Sequence, residues 1–413
     1  MVEVVYERCC GLDIHKKLIV ACLITPGPEG KPVRQTRSFG TMTQDIVSLA
    51  KWLQSAGCGI VAMESTGVYW KPVYNLLEQG FELLLVNAWD LKTVPGRKTD
   101  VKDAEWIADL LRHGLLKGSF VPDKAERELR ELTRYRTSLI RQRVAEVNRL
   151  QKVLEGANIK LASVASDIDG VSARLMLEQL VAGSEDVSAM AQLAKGSLRE
   201  KIPELEKALT GRFGDHQRFL VARQLAHVDA LDGLIGEVSD EIEARLRPFE
   251  AEVARLDTIP GVGRATAQAI IAEIGVDMGR FATSGHLASW AGLAPGNDQS
   301  AGKRKRAGIT KGSKWLRAIL VQAAKSLSRS HKSYLSAQYH RLASRLGENK
   351  ATIAVAHSIL VIAYHLLARK EDYRDLGRDY FDQRSRQTIE RNAVRRLQKL
   401  GYKVTLEPVA AAA

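Results

Sequence analysis

The order of apolar segments over residues 8–113 constrains this chain more than any other feature. Residues 8–14 (RCCGLDI) and 18–24 (LIVACLI) read as two strands joined by a short polar turn over 15–17. A third strand is expected at 33–39 (VRQTRSF), after the Pro/Gly-rich turn PGPEGKP. An amphipathic helix follows over about 43–56, with Ile46, Leu49 and Leu53 on one face, and Gly57 and Gly59 end it. Then come an apolar strand at 59–64 (GIVAME), a helix at about 68–79, a strand at 81–87 (FELLLVN) and a helix over about 100–113. Helices interposed between strands imply parallel crossovers, whereas the first strands pair as antiparallel hairpins.

Three strands, helix, strand, helix, strand, helix is the order of a ribonuclease-H-like mixed sheet, assigned to residues 1–122. The remainder reads as all-α. A long charged helix is expected over about 125–158, where Leu129, Leu132, Leu139, Val147, Leu150 and Leu154 recur at helical spacing. Arg127, Arg130, Arg134, Arg136, Arg141, Arg143 and Arg149 crowd its other faces, and Arg134 and Arg141 are candidate nucleic-acid contacts. A second long stretch, 218–247, places Val228, Leu231, Ile235, Val238 and Ile242 on a heptad-like seam that suggests a coiled coil or a subunit interface. Pro248 should break it. The intervening 159–217 is helix-prone with Gly and Ser breaks and says little. The expected division is 1–122 for the mixed sheet, 123–254 for long coiled-coil helices, 255–370 for a C-terminal helical domain with a helix-hairpin-helix, and 371–413 for a charged, peripheral tail whose last residues (PVAAAA) should be disordered.

Charge narrows the class of partner. Lys and Arg outnumber Asp and Glu by 61 to 48 over 413 residues, an excess that favours a polyanion, although proteins that bind ribosomes or membrane surfaces share it. Cys9, Cys10, Cys22 and Cys58 form no C-x-x-C pair and read as buried thiols of a reducing compartment, so a cytoplasmic protein is expected. Residues 351–368 are apolar for a full 18 residues but include Thr352, His357, Ser358 and His365, so a buried core helix is expected there and no membrane partner.

The acids of the first domain carry its chemistry. Asp13 stands inside an apolar strand, an unusual place for a carboxylate, and Glu64 closes the strand GIVAME. Asp100 and Asp103 lie three apart at a helix start and project from one face. Taken alone, that pair reads equally as a helix cap and a first-turn acid. In a ribonuclease-H-like sheet the first and fourth strands are neighbours, and the last helix can bring all four acids together. Like charges repel there unless divalent cations intervene, and an oxygen-only set suits Mg²⁺ or Mn²⁺. Two such ions about 3.5–4 Å apart can activate one oxygen and stabilise the leaving oxygen of a phosphodiester.

Two further motifs follow. Pro260-Gly261-Val262-Gly263 before ATAQAIIAEI matches a helix-hairpin-helix, in which Gly261 and Gly263 let backbone N–H groups approach a phosphate; a turn used only for packing is the alternative. Ser300 precedes a run with seven cations and no acid: Lys303, Arg304, Lys305, Arg306, Lys311, Lys314 and Arg317. Such charge would steer a phosphate to the hydroxyl and stabilise a pentacoordinate transition state. No histidine lies nearby in sequence to activate that serine. Taken alone, the segment is better explained as a solvated basic loop with an incidental serine.

In order along the chain, GLDIHK, AMESTGVYW, VPGRKTDVKDAEWIADLL, IPGVG and WAGLAPGNDQSAGKRKRAGITKGSKWLR resemble the insertion-sequence one-ten family of transposases, over roughly 8–115 and 255–325. The resemblance implies a RuvC-like domain whose DEDD tetrad is Asp13, Glu64, Asp100 and Asp103, and a C-terminal transposase domain whose catalytic serine is Ser300, joined by a coiled coil. It also implies a recombinase guided by an element-encoded bridge RNA, acting on DNA as a dimer to tetramer with composite active sites and a covalent serine–DNA link. The competing expectation is a metal-dependent Holliday-junction-type endonuclease that uses the carboxylates and water, with Ser300 incidental.

Overall fold

The computed structural model describes residues 3–28, 31–65, 67–87, 103–296, 299–300, 303–304, 308–309, 312–384 and 386–406. The chain forms two compact units, Met1–Lys124 and Ala125–Ala413.

The first unit is a five-stranded mixed sheet. Its strands are β1 (Cys9–Ile14), β2 (Ile19–Pro26), β3 (Pro32–Phe39), β4 (Ile60–Glu64) and β5 (Glu82–Val86), in the order β3-β2-β1-β4-β5. β1 pairs antiparallel with β2 and parallel with β4, and β4 pairs parallel with β5. The crossover helices are α1 (Thr43–Ser55) and α2 (Trp70–Leu77). Helix α3 (Asp103–Arg112) follows β5.

Period-two alternation sorts the strand residues between two cores. Cys10, Leu12, Val61 and Met63 pack with Ile46, Leu49 and Leu53 of α1. Cys9, Ile60, Ala62 and Val86 pack on the opposite face with Ala104, Ile107 and Ala108 of α3. Gly11 sets how closely α3 lies on the sheet. A Cβ there would stand 2.4 Å from the Ala104 oxygen and from the Ala108 nitrogen, so only glycine admits the helix backbone. The four cysteines are free thiols inside these cores. Burial pushes the Cys9 thiol up to about 12 and the Cys58 thiol up to about 11.

Among its described residues the second unit is helical apart from the hairpin of β6 (Gln299–Ser300) and β7 (Lys303–Arg304). Helix α4 (Lys124–Gly156) is followed by α5 (Leu161–Val164), α6 (Val171–Ala182), α7 (Val187–Ala191) and α8 (Ile202–Leu209), and then by the long α9 (Asp215–Leu246). The uninformative stretch 159–217 turns out to build a core of its own. Leu161, Met176, Leu177, Met190 and Leu205 pack there against Leu150 and Leu154 of α4 and Val221 and Leu225 of α9. Ion pairs Arg143–Asp232 (2.5 Å) and Arg245–Glu128 (3.0 Å) hold α4 and α9 as an antiparallel hairpin. Along the heptad-like seam of α9, Val228, Leu231 and Ile242 are buried, whereas Ile235 and Val238 are only half-buried. A 3₁₀ turn containing Pro248 ends α9, where the lost N–H stops the helix.

Helices α10 (Glu250–Asp257), α11 (Arg264–Ile274), α12 (Ser284–Trp290), α13 (Lys314–Ser326), α14 (Tyr334–Leu346) and α15 (Glu348–Arg369) follow. α15 holds the apolar stretch 351–368 and is long and apolar enough to cross a membrane by composition. Half of its apolar window is buried, and Val355, Ala356, Ile359, Leu360 and Ala363 are inside the fold. Helices α16 (Tyr380–Arg384) and α17 (Arg386–Lys399) come last.

The start of the tail is exposed at most positions but makes specific contacts with the helices before it. Asp375 accepts hydrogen bonds from the Tyr334 N–H at the start of α14, the Gly377 N–H and the Tyr373 hydroxyl. Phe381 stacks on Tyr334 at 5.1 Å, and Tyr380 meets the same ring edge-on. The terminal PVAAAA lies outside the described residues.

Candidate active site and nucleic-acid surfaces

Strand register brings two acids together. Leu12 faces Met63 across the parallel β1–β4 pair, so Asp13 and Glu64 come one step later, at neighbouring strand ends. By alternation they belong to the face of Cys9, Ile60 and Ala62, which α3 covers. Asp103 opens α3, directly before the Ala104 whose carbonyl lies over Gly11. Three acids from β1, β4 and α3 thus share one end of the sheet. Their charges register at Asp13. Burial pushes its carboxyl up, and the Asp103 and Glu64 carboxylates push it further, while His15 draws it down.

His15 opens the turn over 15–17. Its backbone N–H does close the turn onto the Leu18 oxygen, but its Nε2 also lies 3.1 Å from the Asp13 carboxylate. The signal was available, because residues i and i+2 of a strand share a face. Asp100 lies outside the described residues. Among the described residues, no three His, Cys, Asp or Glu side chains stand close enough to hold a metal ion by themselves.

The segment around Ser300 is a hairpin rather than an unstructured loop. Ser300 pairs with Lys303, and Gln299 with Arg304. Its base is closed by the Gly296 N–H to the Gly308 oxygen, by the Pro295–Ile309 bridge and by the Ser313 N–H to the Trp290 oxygen. Lys305, Arg306 and Lys311 lie outside the described residues. Lys314 is exposed and Arg317 half-buried on the first turn of α13, which Ser313 caps.

The glycine turn joins α10 to α11, and its two glycines differ. Gly261 has φ +85°, and a Cβ there would lie 2.7 Å from the Ala323 oxygen of α13, so its role is packing. Gly263 precedes α11 with open space where a Cβ would stand, which leaves that helix start approachable.

The arginines of α4 answer mostly to the protein itself. Arg134 grips the buried Glu273 of α11 with two hydrogen bonds, 2.7 and 2.9 Å. Arg130 donates to the Ala272 and Glu273 carbonyls at the C-terminus of α11, where the helix dipole favours a cation. Arg136, 7% exposed, donates to Gln268 and to the Ala265 carbonyl. Arg134, expected as a nucleic-acid contact, thus has its fork on a carboxylate that is 1% exposed. Arg141 is exposed and lies over the Trp315 ring at 5.3 Å, beside an open groove lined by Thr137, Gly261, Thr266, Gln322 and Ser326.

Comparison with known proteins agrees with both ends of this description. A family model described as Transposase, of the DEDD type, matches residues 10–159, and a second, described as Transposase IS116/IS110/IS902 family, matches residues 253–340. Similar proteins include the transposase for insertion sequence element IS1111A of Coxiella burnetii, 27% identical over 376 residues that cover 89% of this chain and 91% of that one. A probable family 20 transposase of Pseudomonas aeruginosa is 26% identical, covering 76% of this chain and 86% of its own. An uncharacterized protein of insertion element IS110 from Streptomyces coelicolor is 26% identical over 49% of this chain and 53% of its own. With models for both regions matching in order across more than half its length, the chain belongs to the IS110 family of transposases.

Proposed function

We propose that this transposase cuts and rejoins DNA with two separate pieces of chemistry: a metal-bound carboxylate tetrad in a RuvC-like first domain, and a serine nucleophile in the second unit. The observation behind this reading is the meeting of Asp13, Glu64 and Asp103 at one end of the sheet. The donor set is all oxygen and its charges oppose one another, which fits a hard divalent cation, with Asp100 completing the set. Mg²⁺ or Mn²⁺ held there by Asp13, Glu64, Asp100 and Asp103 would supply charge neutralisation at a scissile phosphate. His15 holds the Asp13 carboxylate in orientation.

Ser300 attacks a DNA phosphorus through its hydroxyl oxygen. A serine–phosphate ester forms, the bond to the departing sugar oxygen breaks, and that oxygen takes a proton in exchange for the one the serine gives up. Attack by a second strand's hydroxyl reverses the step and regenerates Ser300, so strand exchange needs no external energy. Lys303, Arg304, Lys305, Arg306, Lys311, Lys314 and Arg317 draw the phosphate to the hairpin. We read residues 123–254 as the spacer and 255–370 as the serine-bearing domain of an assembly of two to four copies, with tetrad and serine supplied by different copies. An element-encoded RNA, paired with donor and target, selects the sites, and the reaction takes place in the cytoplasm.

The test is to incubate the protein, its co-purified nucleic acid and Mg²⁺ with DNA carrying the element's ends. Wild type should give a protein–DNA adduct that maps to Ser300, while Ser300→Ala gives none. Asp13→Asn should lower recombination at least about 100-fold, the scale for removing one group that stabilises transition-state charge, with DNA binding retained. Strand exchange by Ser300→Ala would rule the serine out and leave the water-using endonuclease. Unchanged site choice after RNase treatment would rule out the guide.

A further inference from the structure

The cations of the tail differ from those of α4. Helix α17 carries Arg386, Arg391, Arg395, Arg396 and Lys399 against a single acid, Glu390, which pairs with Arg386 at 2.8 Å. No ion pair among the described residues includes Arg391, Arg395, Arg396 or Lys399, and all four are exposed. Arg391, Arg395 and Lys399 follow one another at i, i+4 and i+8, so they form one stripe about 12 Å long, with Arg396 beside it. Ala393, Leu397 and Leu400 fall on the other side. Arg391 and Arg395 share one depression with Val394, Gln398 and Leu406, so the chain's own end lies along one edge of the stripe.

This stripe hangs from a built anchor. Before it, the chain caps α14 through Asp375, stacks Phe381 on Tyr334 beneath Arg341, and donates the Tyr373 N–H to Thr258, next to the glycine turn. Arg255 of α10 also approaches Asp372, at 3.6 Å. These contacts hold the chain as far as Phe381, five residues before the basic helix. The tail also lies outside both regions that the family models match.

We propose that α17 is a docking surface for the phosphate backbone of duplex DNA. A duplex carries one negative charge per about 1.7 Å of axis, so a 12 Å stripe of cations meets several phosphates and gains by releasing their counterions. Contacts of this kind read no sequence; they add affinity and hold orientation. The proposal rests on the DNA-cutting reading only in its choice of duplex DNA as the polyanion.

The experiment measures binding of the full-length protein to a labelled random-sequence 30-base-pair duplex across a NaCl series, for wild type, for a quadruple variant (Arg391→Gln, Arg395→Gln, Arg396→Gln, Lys399→Gln) and for an all-lysine variant (Arg391→Lys, Arg395→Lys, Arg396→Lys). The quadruple variant should flatten the slope of log affinity against log salt by about 2 to 4, because each neutralised phosphate contributes about 0.9. The all-lysine variant should keep the wild-type slope, since the effect depends on charge, and this also shows that substitution here leaves the helix competent. Parallel wild-type and quadruple-variant lines would overturn the proposal. So would a loss confined to single-stranded RNA, or one seen only with vesicles of anionic phospholipid, which basic amphipathic helices also bind. If wild type recombines normally while the slopes stay parallel, only the tail inference fails. If wild type does not bind duplex DNA, the DNA-cutting reading fails with it.

Discussion

Helices α4 and α17 are both rich in arginine, and they use it in opposite ways. In α4 the guanidinium groups fasten the protein to itself. Arg130 and Arg134 close on Glu273, Arg136 on Gln268, and Arg143 on Asp169 and Asp232. In α17 four cations are exposed, and no ion pair among the described residues includes them. The difference lies in the surroundings. α4 is covered by other helices that bring carboxylates and helix C-termini against it, whereas α17 meets the segment that follows it, at Leu406. Arginine density along a helix therefore says little about nucleic acid until the acids that fold back onto it are known.

The largest effect that would break this contrast is at Glu273. Glu273→Ala leaves Arg130 and Arg134 without their buried partner and should destabilise the protein by about 3–5 kcal/mol in urea unfolding. It should leave the salt slope of DNA binding unchanged. A stable variant with weakened DNA affinity would show that the α4 arginines face nucleic acid after all. A smaller effect is expected at Arg143, which bridges the 7%-exposed Asp169 and the more exposed Asp232. Arg143→Ala should cost about 1 kcal/mol, since its solvent-facing part is screened. The smallest effect belongs to the tail, where the quadruple variant of α17 should shift unfolding by no more than about 0.5 kcal/mol, as surface substitutions do. A larger loss would mean that α17 has partners inside the fold.

Several readings carried from residues to structure because they rest on local periodicity. Alternation in RCCGLDI and GIVAME was enough to put Asp13 and Glu64 on strands, and register then made them neighbours. The apolar stretch 351–368 declared itself a core helix through its interspersed Thr and His residues. Pro248 ended α9 where its missing N–H required. Residues 159–217 resisted, because their helices are short and α6 buries small residues alongside large ones, so no single face stands out.

Local chemistry therefore settled, from sequence alone, which segments are strands and helices and which acids lie at strand ends. Tertiary structure alone decided the rest: that His15 turns onto Asp13, that Gly261 packs against α13 while Gly263 stays open, and that Glu273 claims Arg134. The physical reason is range. Backbone periodicity acts between residues a few positions apart, while the pairing of a charge depends on what arrives from more than a hundred residues away, as Glu273 does for Arg134.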